Sequence, residues 1–175
     1  MRDLQSWEME ELRFACDAML GRLARWLRLA GFDTWFDPRV ADDEVAAISR
    51  GEGRWLLTRD RMLASVAGPR AVLVRATKVA DQLAELRGRL PVATNTARWL
   101  SRCPRCNGTL LPAAREAVVG LVPPFVATHA ETFRLCSACA RVYWPGTHVP
   151  RIEERLTTFF GGDTGLRGGQ NDGER

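Results

Sequence analysis

The chain has 175 residues and a net charge of +4 from 25 basic and 21 acidic side chains, with 46% apolar and 26% charged residues. That balance suits one folded core of ordinary size, with or without a small appendage, and excludes global disorder. It also argues against a membrane protein, because the most apolar late stretch, Ala117 to Ala127, is broken by Pro123-Pro124 and falls far below the roughly 20 residues a bilayer requires.

Met1 to Glu11 is acidic and has no apolar run, which is not the pattern of a secretory signal, so a cytoplasmic location is the expectation. Residues 1–12 carry −3, so the positive balance lies in the body of the chain, where Lys78 is the only lysine. A modestly basic body permits a nucleic-acid partner through phosphate attraction without demanding one.

Past a loose lead-in over residues 1–12, Arg13 to Cys16 reads as a short strand ending at Asp17. The period then becomes helical: Met19, Leu20, Leu23, Trp26, Leu27 and Ala30 form an apolar face over 18–30, closed by Gly31. Asp33 to Phe36 predicts a second strand, and Asp42-Asp43-Glu44 opens a helix over 45–50 that Gly51 and Gly53 stop. Carboxylates in a first turn suit the helix macrodipole. Arg54 to Thr58 predicts a third strand, Met62 to Val66 a short helix, Ala71 to Val74 a fourth strand and Val79 to Leu90 a further helix. Short strands alternating with helices imply βαβ units, so residues 13–90 are expected to form a small parallel sheet flanked by helices.

After Leu90 the texture changes. Pro91 to Arg102 holds turn formers and one short helix, and Cys103 to Trp144 carries two Cys pairs, four prolines and β-branched runs such as Ala117 to Val122. Residues 91–160 therefore read as a small β-rich module with a closing helix over 151–160. The tail, 161–175, holds six of the fifteen glycines and is expected to be disordered.

Two constellations can carry chemistry. Cys103-x-x-Cys106 and Cys136-x-x-Cys139 are spaced as two knuckles, each delivering two thiolates to one tetrahedral Zn²⁺. A dithiol redox site is the competing reading, but no helix is expected after Cys106 and the second pair would have no purpose. Cys16, alone in an apolar run, reads as a small buried hydrophobe. His129 and His148 could each serve as a base or a ligand, although four cysteines already fill a zinc site, and His148 reads as a satisfied structural residue.

The second constellation is acidic. Asp17 and Asp60 each follow a strand, and Asp43 opens a helix over the same edge, where open parallel sheets place their functional crevice. Three converging carboxylates need a cation, and Mg²⁺ or Mn²⁺ accepts such oxygens. Helix capping accounts for each acid singly. An aspartyl-phosphate phosphatase is disfavoured, since Met19 stands where its second Asp would be. Arg22, Arg25 and Arg28 recur every three residues along the first helix, and Arg59 and Arg61 bracket Asp60. They form either a phosphate-binding wall or a solvated face.

Residues Phe14 to Arg28, Gly53 to Arg61, the step Asp81-Gln82-Leu83, both Cys pairs and Tyr143-Trp144-Pro145-Gly146-Thr147-His148 together resemble the Mut-seven C-terminal RNase domain family, over about residues 13–157. The resemblance implies a PIN-like nuclease fold with a C-terminal zinc ribbon, and metal-dependent cleavage of RNA. It implies Asp17, Asp43 and Asp60 as metal-binding acids, with Asp42 as an alternative to Asp43 and Asp37 or Asp81 as a fourth acid. The expected protein is thus an endoribonuclease with a structural Zn site at Cys103, Cys106, Cys136 and Cys139, catalytic Mg or Mn, and Arg22, Arg25 and Arg59 on the RNA. The alternatives are a non-catalytic RNA-binding or ribosome-associated module and, more weakly, a thiol redox protein.

Overall fold

The computed structural model describes residues 12–94 and 96–161, so the predicted lead-in and tail lie outside the described residues except for Leu12 and Gly161. Its first half is a four-stranded parallel sheet of order β2-β1-β3-β4, built from β1 (Arg13–Cys16), β2 (Asp33–Trp35), β3 (Trp55–Thr58) and β4 (Ala71–Leu73). The two central strands are almost wholly buried and the edge strands only partly. This is why β1 and β3 read as continuous apolar runs rather than alternating ones. The register pairs Ala15 with both Trp35 and Leu56, and Leu57 with Val72.

Between the strands run a 3-10 turn at Ala18–Leu20, then α1 (Gly21–Leu29), α2 (Asp42–Glu52), α3 (Arg61–Val66) and α4 (Val79–Arg87). Leu23, Ala24 and Leu27 of α1 are fully buried in the main core with Phe14, Leu57, Leu83 and Leu86. Burying a leucine side chain contributes about 1.5–3 kcal/mol, so this stripe holds α1 more firmly than its propensity does. Val45, Ala46 and Leu63 cover the opposite face against Ala15 and Leu56.

The α2 helix is longer than the expected 45–50. Gly51 sits inside it, and the stop falls at Gly53, whose φ of 64° supplies the left-handed cap. The helix expected over 79–90 ends at Arg87, although Leu90 still reaches the core.

The second half is a three-stranded antiparallel sheet, β5 (Leu110–Ala113), β6 (Phe133–Cys136) and β7 (Val142–Tyr143), in that order. The run Ala117 to Val122, expected as β, instead supplies the end of a helical turn, α5 (Arg115–Val118), and a reversal into α6 (Pro124–His129). Val118, the last residue of α5, and Val122, past the left-handed turn at Gly120, meet in one satellite core with Phe133, so packing overrides β propensity here. The closing helix, α7 (Val149–Phe160), returns to the first core: Leu156 is fully buried there, Phe159 meets Trp26 edge-on at 5.1 Å, and Arg87 Nη1 donates to the Phe159 carbonyl.

The halves are joined along edge strand β2. Arg28, expected on an exposed arginine face, is 3% exposed. Its Nε donates to Thr34 O and its Nη1 to Arg105 O, both at 2.8 Å. Asn107 completes the joint, because its Oδ1 accepts from Thr34 N at 2.9 Å while its Nδ2 donates to Asp33 Oδ1 at 2.7 Å. Asp33 also pairs with buried Arg54 at 2.6 Å. Burial opposes ionisation of Asp33, yet the hydrogen bonds from Arg54 and Asn107 hold its carboxyl below the usual aspartate value.

Asn107→Ala strands the Thr34 N–H and removes a donor from Asp33, and is expected to lower unfolding free energy by about 2 kcal/mol. Arg28→Lys, which cannot reproduce the fork, is expected to cost at least as much. Denaturant titration reads both. The Asp33 contribution is complete above the unfolded-state value of about 3.9 and is lost as pH falls through the lower folded value. Asp33→Asn should therefore flatten the acid limb of the stability–pH curve.

Candidate functional site

Each knuckle is a tight turn closed by the same pair of backbone bonds. Asn107 N donates to Cys103 O and Ala140 N to Cys136 O, while Cys103 N reaches Gly108 O and Cys136 N reaches Arg141 O. Asn107 and Ala140, immediately after the second cysteine of each knuckle, share the left-handed backbone with φ of 73° and 53°. Gly108 is required for another reason: a Cβ there would lie 2.9 Å from Cys136 Sγ and 2.8 Å from Ala138 Cβ. The two knuckles can close on each other only where that side chain is missing.

The four Sγ atoms lie within 4.8 Å of one another, with Cys106–Cys136 at 3.3 Å and Cys103–Cys139 at 3.8 Å. Zn–S bonds of about 2.3 Å in a tetrahedron place sulfurs ~3.8 Å apart, so the donor set fits zinc. The Tyr143 hydroxyl is 3.0 Å from Cys103 Sγ. Burial raises the Cys103 thiol, but the hydrogen bonds from Tyr143 and the Cys106 and Arg105 amides outweigh it and bring it to about 6. Burial and the neighbouring sulfurs push Cys106 up to about 12. Four thiols this close cannot all ionise without a cation among them. Cys16 stands apart, fully buried, and burial holds its thiol protonated.

The acids occupy the carboxyl edge of the parallel sheet. Asp17, 3% exposed, extends the β1–β3 ladder through its N–H to Leu57 O. Its Oδ1 accepts from Met19 N at 2.9 Å, and its Oδ2 accepts from the Thr58 hydroxyl and from Arg59 N. Thr58 Oγ1 in turn accepts from Asp60 N, and Asp60 Oδ1 accepts from Leu63 N, both at 2.9 Å. Asp17 and Asp60 are thus N-caps, as the capping alternative requires, and they are also linked to one another through Thr58.

Asp42, Asp43 and Asp60 line one open cleft of about 490 Å³ with Arg50, Met62 and Val66. Asp17 is not in that lining. Asp37 is taken up by Arg39, whose side-chain and backbone hydrogen bonds hold it down to about 2, and neither it nor Asp81 lines the cleft. Among the described residues the four cysteines are the group of three or more ligating side chains gathered closely enough for an ion, and Asp17, Asp43 and Asp60 do not form such a group. Arg22 and Arg25 are exposed on α1 and outside the acidic cleft, while Arg59 is tied to Asp17 by its backbone.

Two residues of this region were not singled out from the sequence. Arg50 lies seven residues after Asp43, on the same helix face, a spacing that could have revealed it. Thr58 reads as one more strand residue, and only the tertiary contact exposes its role. His148, expected as a satisfied core residue, is exposed, and so is His129, which stacks on Phe125 with ring centroids 4.1 Å apart.

The chain thus combines a parallel α/β sheet, with acids at its carboxyl edge, and a four-cysteine cluster fit for a metal. The sequence model of the Mut7-C RNAse domain matches residues 12–156. The chain belongs to that family, and a nuclease is the class of activity the family name carries. No curated protein and no solved structure matches the chain. Among the described residues no helix is long and apolar enough to cross a membrane.

The purified protein is expected to carry one zinc per chain by elemental analysis. Acidification protonates the thiolates, so zinc retention should fall as pH drops. Cys136→Ser should remove the zinc and expose the Arg28 joint to protease.

Proposed function

We propose that the protein is a metal-dependent endoribonuclease whose chemistry occurs at the cleft of Asp42, Asp43 and Asp60. The observation that carries this reading is the opening of three carboxylates from two elements onto one cleft, in a chain of an RNase domain family.

The donor set suits a hard cation. Asp43 makes no side-chain hydrogen bond among the described residues, Asp60 retains Oδ2, and Asp17, with three donors on its carboxylate, keeps one acceptor direction on Oδ1. Mg²⁺ or Mn²⁺ held by Asp43 and Asp60, with Asp17 steadying Asp60 through Thr58, would neutralise these acids, activate water and steady the developing charge on phosphate. Asp42 is the acid placed to stand in for Asp43 or to join it.

The chain itself does the positioning. Asp17 fixes the Thr58 hydroxyl, and Thr58 fixes the Asp60 backbone. Asp60 caps α3, which keeps its carboxylate at the rim. Arg50 lines the same cleft from α2 and can hold a phosphate oxygen beside the acids, while Arg22, Arg25 and Arg59 extend the positive surface for the RNA backbone. Water as nucleophile leaves 5′-phosphate ends, whereas attack by the 2′-hydroxyl would leave 5′-hydroxyl ends.

The bonding around Asp17 decides which variant makes the clean test. Asp17→Asn turns an amide N–H toward donors and unsettles the fold, whereas Asp43→Asn disturbs no hydrogen bond. Labelled RNA incubated with Mn²⁺ is expected to be cut to 5′-phosphorylated products. Asp43→Asn and Asp60→Asn should each slow cleavage at least about a hundredfold, the loss expected when a group stabilising the transition state by several kcal/mol is removed. Metal-independent cleavage, or full activity in both variants, would overturn the assignment. RNA bound without any cleavage would favour the non-catalytic module, in which the acids are caps and latches only.

A further inference from the structure

A second cleft, of about 480 Å³, lies where the C-terminal half of α1 meets the connector at 96–102, the antiparallel sheet and the start of α7. It has no part in the acidic site. Its lining includes Arg25, Trp99, Arg134, Tyr143, Trp144 and His148. The volume is that of a small-ligand pocket, typically about 300–1,000 Å³. Three aromatic rings and exposed cations in one concavity are what an unpaired nucleotide requires, since a base stacks on a ring and its phosphate meets a guanidinium.

Two observations separate this cleft from an ordinary packing gap. Trp99 Nε1 is the buried side-chain polar atom left without a hydrogen-bond partner among the described residues. An indole N–H only donates, and this one is enclosed, so a base carbonyl would reach it only as the Trp99 ring shifts to admit the base. Arg25 is exposed and makes no ion pair or side-chain hydrogen bond among the described residues, whereas Arg102, in the same wall, is committed to Asn107 O and Asp33. Glu153 also lines the cleft. A carboxylate there opposes a polyphosphate but accepts from a base amino or imino group.

We propose that this cleft binds one unpaired nucleotide of a single-stranded RNA, with the base among Trp99, Tyr143 and Trp144 and its phosphate at Arg25. The proposal rests on the ribonuclease reading for the identity of the polymer and extends it to the strand's conformation. Arg22 lies one turn before Arg25, on the α1 end that carries Asp17. The two arginines form a path of about 4.5 Å rise per three residues from the base cleft toward the acid edge. A paired base cannot enter, so the cleft selects single strands.

The test uses the full zinc-loaded chain in the Asp43→Asn background, where the RNA stays intact, and reads affinity by fluorescence anisotropy of a labelled short oligouridylate. Arg25→Glu is a surface change, and it is expected to weaken binding about tenfold with zinc content and melting midpoint unchanged. Trp99→Phe, which removes the N–H and keeps a ring, is expected to weaken binding about fivefold. A duplex of the same length should bind more weakly and respond to neither substitution. Unchanged oligouridylate affinity in Arg25→Glu, duplex binding as tight as single-strand binding, or equal competition by an acidic peptide would each overturn the proposal. Binding as expected in a protein whose wild type never cleaves RNA would overturn the hydrolase reading alone. Cleavage by the wild type with affinity insensitive to Arg25→Glu would overturn the cleft alone.

Discussion

Arg28 is carried by α1, yet its guanidinium is spent on carbonyls of β2 and of the first cysteine knuckle. A buried charge is tolerable only when its donors are all met, and these acceptors sit on two structural units. Removing either unit leaves the other with an unmet group. Asn107 repeats the logic in the reverse direction, accepting from the outer N–H of Thr34 while donating to Asp33. The exposed flank of an edge strand invites foreign pairing. Here a side chain and a guanidinium occupy it, so the small parallel sheet ends in a protected boundary without a fifth strand. The metal knuckle thus serves the sheet as well as itself, and the sheet supplies the buried anchor that orients the knuckle.

Much of this fold was legible in the sequence, and the places where it was not have physical reasons. Four strands of three or four residues were readable because Pro, Gly and Asp punctuate each one and because the central pair is uninterruptedly apolar. The cysteine spacing specified its own geometry. Arg28 was misread because a three-residue recurrence is not a helical face: at about 100° per residue, each step from Arg22 to Arg25 to Arg28 turns the side chain by ~60°. The third arginine therefore lies ~120° from the first, which carries it off the solvent side and into the joint. The run from Val118 to Val122 departs from the strand its β-branched residues suggest because the chain turns at Gly120, and the two valines are buried by contact with Phe133 rather than by any strand partner.

The acids show how residues that cap two helices can also be tied to one another. An aspartate following a parallel strand meets the next helix start, and its carboxylate is drawn to free N–H groups there. Asp17 and Asp60 satisfy that demand, and through Thr58 they also set each other's position. Sequence reading could place both at one edge but could not tell their surroundings apart. The difference is one of burial: Asp17 is enclosed and bonded, while Asp60 stands at the rim with Asp42 and Asp43. Arg50 completes the rim from the same helix as the two acids, so α2 carries both signs of charge into one opening.

The joint at β2 spans a long stretch of chain, because Thr34 and Asn107 are 73 residues apart. During synthesis at roughly 5–20 residues per second, the sheet strands leave the ribosome on the order of 4–15 seconds before the residue that covers their open flank. For that interval β2 presents unpaired backbone to whatever surrounds it. The nascent chain is therefore most vulnerable to misassembly after its first half is made and before its cysteines are gathered, so whatever draws the two knuckles together also governs how much chain reaches the folded state.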